Sequence, residues 1–124
     1  MLPEADEGPI TRLVYAILLS ALHKRATDIA VRRVDGCSRV DFVIEGSETE
    51  EMLPPSLLHE RIVRKLAIMG SLPIYAVGQH AEGTIKLRIG AAREADFALR
   101  VEGHGDSLAA YLHVLSVSRS DGAA

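Results

Sequence analysis

Apolar positions recur along this chain at two different periods. Ile10, Leu13, Val14, Ile17, Leu18, Ala21 and Leu22 fall at helical spacing and draw a single stripe. Pro9 suits the first position of that helix, where its missing N–H is no loss, and His23-Lys24-Arg25 sets positive charge at the negative end of the dipole. A second helix is predicted after Pro54-Pro55-Ser56, with Ser56 as N-cap and Gly70 as terminator. Leu58, Ile62, Leu66 and Met69 lie along one of its faces, with Val63 and Ala67 beside them.

Elsewhere the period is two. Ile29-Ala30-Val31 is a short strand before Arg32-Arg33, and an Asp35-Gly36 turn signal leads into a second strand over 39–45, where Val40, Phe42 and Ile44 alternate. The pair reads as a hairpin. Residues 46–51, with Glu48, Glu50 and Glu51 close behind Glu45, read as an acidic loop. Those carboxylates could hold a metal, but the glycine-anchored spacing of a calcium loop is missing, and a solvated loop is the reading adopted. Residues 72–81 are irregular. Strands over 84–89 and 95–101 flank a Gly90-Ala91-Ala92 turn, Gly103–Asp106 is a further turn, and 108–117 is the last strand. The order αββαβββ with hairpin-length connections predicts an α+β fold: a mostly antiparallel sheet of about five strands with two packed helices. Residues 1–8 are expected as a polar leader, 9–117 as a single domain and 118–124 as a flexible tail.

Composition narrows the function. A chain of 124 residues with 48% hydrophobic and 25% charged residues has room for one globular domain. Fourteen Lys and Arg against seventeen Asp and Glu give a charge of −3, and aromatics are 4% with no Trp. That balance argues against nucleic acid, which needs clustered positive charge and stacking platforms. Cys37 is the lone cysteine, so no intrachain disulfide forms; it reads as a small residue at a turn. The acidic N-terminus is not a signal peptide, and the longest apolar stretch, 13–22, is too short to span a membrane. A cytoplasmic protein without membrane insertion is expected.

Chemistry-bearing motifs are scarce. There is no Gly-Lys-Ser or Gly-Lys-Thr, and Gly103-His104-Gly105 precedes a strand rather than the helix a dinucleotide fingerprint requires. The histidines at 23, 59, 80, 104 and 113 lack metal-ligand spacing. His80 near Glu82 and His104 near Asp106 are taken as solvated turn residues, with an acid–base pair as the alternative for each. No catalytic residue, metal ligand or cofactor is assigned, and the chain is not expected to be an enzyme.

Five segments, in order, carry a resemblance. They are Arg25-Ala26-Thr27-Asp28-Ile29-Ala30-Val31, Val40-Asp41-Phe42-Val43-Ile44-Glu45-Gly46, Arg61-Ile62-Val63-Arg64-Lys65-Leu66-Ala67-Ile68-Met69, Gln79-His80-Ala81-Glu82-Gly83 and Asp96-Phe97-Ala98-Leu99-Arg100-Val101. Together they resemble the second N-terminal domain of the type II secretion and type IV pilus assembly ATPases. The departures are specific. The family's His after Asp-Ile is Ala30, its Glu-Pro is Arg32-Arg33, and the two arginines of its Arg-Tyr-Arg strand, which the resemblance sets toward nucleotide, are Asp41 and Val43. Arg100 is retained. The RecA-like domain that would hold the nucleotide is expected to be missing. An arginine serves a phosphate by placing positive charge at developing negative charge, and Asp41 has the opposite sign.

The resemblance therefore implies a non-catalytic interaction or regulatory module that binds a protein partner or itself. Two alternatives stay open. One is a dimeric regulator of a small GTPase similar to the roadblock proteins, which share the order helix, two strands, helix, three strands. The other is a sensor of a small phosphate ligand, for which Arg32, Arg33, Arg39 and Arg100 would converge.

Overall fold

The computed structural model describes residues 3–73, 80–91 and 93–119. Helix α1 spans Pro3–His23, strands β1, β2 and β3 span Asp28–Val34, Cys37–Ile44 and Ser47–Met52, and helix α2 spans His59–Met69. Strands β4, β5 and β6 span Ala81–Ile89, Arg93–Glu102 and Ala109–Arg119. The expected tail over 118–124 lies outside the described residues beyond Arg119, as do most of the irregular 72–81 stretch and Ala92 of the β4–β5 turn. The six strands form one sheet in the order β3-β2-β1-β6-β5-β4, antiparallel throughout. Two three-stranded meanders are thus joined side by side through β1 and β6.

Alternation decides which face each strand buries. Ile29, Val31, Val40, Phe42, Ile85, Phe97, Leu99, Val101 and Leu112 are all at most 2% exposed and share the side on which the helices pack. The stripe read along α1 is the face that closes this core, with Val14, Ile17, Leu18 and Ala21 buried. Burying one such large apolar side chain stabilises by roughly 1.5–3 kcal/mol.

The α+β reading holds, with six strands in place of five. The additional strand is β3, Ser47–Met52, which the sequence presents as an acidic loop. Its charges suit an edge strand. Thr49 lies opposite Phe42 in the ladder, while Glu48 and Glu50 extend over the other face and Glu51 reaches Lys24 beyond the end of α1. Charged edges discourage pairing with other chains. Two tight turns make the meander possible. Asp35-Gly36 and Glu45-Gly46 both have positive φ at both residues (55° and 81°, 52° and 82°), the two-residue geometry that matches strand twist. Only the first carries the Asp-Gly signal; Glu45-Gly46 takes the same geometry without it. With β3 the order becomes αβββαβββ, which departs from the order shared with the roadblock proteins.

Helix boundaries also moved. α1 starts at Pro3, ahead of the Pro9 start and within the stretch expected as a leader. Both helices close through a left-handed residue that is not glycine: Arg25 (φ 61°) after α1 and Ser71 (φ 63°) after α2. Each lets a later amide turn back onto the last turn, Ala26 N–H to the Ala21 carbonyl and Leu72 N–H to the Ala67 carbonyl, both at 2.8 Å. Gly70 is the C-cap of α2, as expected, and it also serves packing, since a Cβ there would meet Leu99 Cδ2 at 2.6 Å.

The α2 stripe read from the sequence packs on the core, with Leu58 and Met69 partly buried at its ends, and it is extended by one residue. Its buried residues are His59, Ile62, Val63, Leu66 and Ala67, so His59 takes a core position at the helix start. Its Nε2–H donates to the Leu108 carbonyl at 2.7 Å, and its Nδ1 accepts from the Ser38 hydroxyl at 2.8 Å. One imidazole thereby ties α2 to β2 and to the approach to β6.

Burial holds the His59 pKa below its ordinary 6.5, and Arg33 adds to this, while the bond to Leu108 acts the other way. The unfolded chain therefore takes up a proton near pH 6.5 that the native state refuses. Stability is complete above that pH and is lost as pH falls through the lower native value. The contribution of Glu51 is present down to about pH 4.5 and is lost only at more acid pH, because hydrogen bonds from Lys24 and Thr49 hold its carboxyl below the ordinary 4.5. Denaturant unfolding across pH should show a decline beginning just below 6.5. His59→Gln should flatten that decline, and His59→Ala should cost about 2–4 kcal/mol at neutral pH by emptying a core position and orphaning two polar partners.

The open sheet face

With both helices on one side, no element among the described residues covers the other face of the sheet. Residues of even number in β1, β5 and β4 and of odd number in β2 and β6 line it: Ala30 and Arg32, Ala98 and Arg100, Glu82, Arg39 and Asp41, Tyr111 and His113. Register sets Asp41 beside Ala30, Ala30 beside Tyr111, Tyr111 beside Arg100 and Arg100 beside Glu82, a row crossing five strands. An open groove of about 420 Å³ runs over the middle of this row.

Asp41 is the most enclosed charge on the face, at 1% exposure. Arg39 Nε donates to its Oδ1 at 2.7 Å and Arg32 Nη2 to its Oδ2 at 3.0 Å. Arg32 also reaches Glu48 at 3.1 Å, and Arg39 lies 3.9 Å from Glu50. The hydrogen bond that Arg39 donates to Asp41 raises the Arg39 pKa above its ordinary value. A carboxylate taken out of water needs such donors on both oxygens. The ladder shifts register between Val40 and Asp41, where β3 carries one extra residue, Glu51, between Met52 and Glu50.

The four arginines of the sequence reading divide. Arg32 and Arg39 are cross-strand partners and share Asp41. Arg100 lies across the groove, 4.5 Å over the Tyr111 ring and 3.1 Å from Glu102. Arg33, one residue from Arg32, points by alternation to the helix side, where its charge bears on His59. Adjacent strand residues cannot both serve one face.

The histidine pairs also separate. His80 Nε2 meets Glu82 at 2.9 Å on the exposed surface, whereas His104 makes backbone bonds with Ser107 around a short turn rather than a pair with Asp106. His113 Nδ1 meets Asp28 at 3.1 Å on the open face, a pairing across 85 residues of chain that sequence spacing does not signal. His59 was findable, since it precedes Ile62, Val63 and Leu66 at helical spacing. Among the described residues no group of three or more His, Cys, Asp or Glu is placed to hold a metal ion, and no helix is long and apolar enough to cross a membrane.

Comparison with known proteins places this architecture. Residues 3–103 match the family model for type II/IV secretion system protein. The type IV pilus assembly ATPase PilB of Myxococcus xanthus is 40% identical over 101 residues, covering 82% of this chain and 18% of that protein. PilB of Pseudomonas aeruginosa is 32% identical over 94 residues, covering 76% and 17% respectively. The type II secretion system ATPase E of Vibrio cholerae is 26% identical over 122 residues, covering 98% and 24%. The chain thus spans roughly a fifth of the length of these curated relatives. The chain belongs to the type II/IV secretion system protein family and resembles the N-terminal domain of its secretion and pilus ATPases.

Proposed function

We propose that this chain is a non-catalytic interaction or regulatory module that works through a surface, as a counterpart of the domain preceding the ATPase core in secretion and pilus motors. The observation that supports this most is Asp41. It occupies a position where the resemblance calls for a nucleotide-facing arginine, and both neighbouring guanidiniums are turned inward onto its carboxylate. A phosphate arriving there would meet buried negative charge and two arginines already engaged. Val43, at the other such position, offers no charge at all. In this reading the module works in the cytoplasm, on a protein partner or a second copy of itself.

A phosphate sensor would require Arg32 and Arg39 to release Asp41, with Arg33 unable to join them from the helix side. Inorganic triphosphate should therefore leave the thermal unfolding temperature unchanged; a ligand at a hundred times its Kd would stabilise by about 2.7 kcal/mol. Sedimentation and cross-linking affinity capture should find the purified chain self-associated or holding a defined protein partner. A strict monomer with no captured partner contradicts the module reading. Asp41→Asn should cost about 1–3 kcal/mol in denaturant unfolding, because two half-exposed guanidiniums lose their shared counter-charge. Added salt should return part of that loss by screening their repulsion.

A further inference from the structure

The open face has a charge pattern that selects its occupant. Four carboxylates line the groove (Asp28, Asp41, Glu48 and Glu82) against the guanidiniums of Arg32 and Arg100. Those two cations are already spent, Arg32 on Asp41 and Glu48, Arg100 on Glu102 and the Tyr111 ring. Asp28 and Glu82 differ from the other two carboxylates. Their ion-pair partners are His113 and His80, which carry charge only when protonated. They stand three strands apart, at least about 14 Å at ordinary strand spacing. Between them the groove floor is low, because Ala30 and Ala98 present only methyl groups.

We propose that this groove receives a basic segment of a partner protein, with one cationic side chain directed to Asp28 and a second to Glu82. The inference rests on the module reading and names the chemistry of its partner. Other occupants fit less well. An anionic ligand or nucleic acid would meet the carboxylate surplus. Two copies of the same face would set like charge against like. An apolar helix would strip water from carboxylates without giving them partners. A guanidinium or ammonium group does the reverse, and Arg100 on Tyr111 shows that a guanidinium packs well on this surface.

The test uses the full 124-residue chain and labelled oligo-arginine and oligo-glutamate peptides, read by fluorescence anisotropy. Oligo-arginine should bind in a salt-sensitive manner and shift the amide resonances of Ala30, Ala98 and Tyr111. Asp28→Asn with Glu82→Gln should weaken binding by about tenfold. Asp35→Asn with Asp106→Asn changes net charge equally at turns away from the groove, and should weaken it far less. Charge reversal, Asp28→Arg with Glu82→Arg, should transfer preference to oligo-glutamate and keeps the test decisive if the neutral pair unfolds. Equal losses in groove and control variants would mean attraction to net charge alone and would overturn the proposal, as would wild-type preference for oligo-glutamate. If oligo-arginine fails to bind while a protein partner is captured, the groove assignment falls and the module reading survives. If neither partner nor self-association is found, the module reading itself falls.

Discussion

The fold depends on the pairing of β1 with β6. These two strands meet over Asp28–Val31 and Ala110–His113, and each is also the inner strand of its own meander. Without that ladder the chain is two small three-stranded sheets, each with a helix and too little apolar surface to stand alone. With it, Ile29, Val31, Ala110 and Leu112 lie at the centre of a shared core, and the two helices cover one face of a single sheet. The same alternation sends Asp28, Ala30, Tyr111 and His113 to the other side. The core and the open face are thus two consequences of one register.

His59 reinforces this joint from the helix layer. Its two hydrogen bonds reach β2, in the first meander, and the residue leading into β6, in the second. On the open side Asp41 ties β1 to β2 within the first meander, binding an arginine from β1 and another from its own strand. Both are buried polar groups whose partners come from separate elements, so they favour one arrangement of the sheet over its neighbours in register.

Much of this was legible in the sequence. Ile10 to Leu22 at helical spacing, and Val40, Phe42 and Ile44 at alternate positions, announce their elements because a buried face imposes its own period on the chain. The edge strand β3 was not legible, because an edge has no second neighbour and Glu48, Glu50 and Glu51 carry no apolar alternation. Asp41 and Val43 stood out against the family's arginine strand, but the fate of Asp41 needed the fold. Nothing in the spacing of Arg32, Arg39 and Asp41 shows that they converge, whereas the hairpin register makes it unavoidable. The division of Arg32 from Arg33 follows from strand alternation alone. The Asp28–His113 pair depends wholly on β1–β6 pairing, a contact between distant parts of the chain.

The central claim is that function resides on the sheet face opposite the helices and not on the helix side. Site-specific photo-cross-linking in the native cell tests it most directly, with the photoreactive residue at position 98 in the groove or at exposed position 68 on α2. The account predicts a discrete protein adduct from position 98 and none from position 68. Adducts formed only from position 68 would place the working surface on the helices and contradict it.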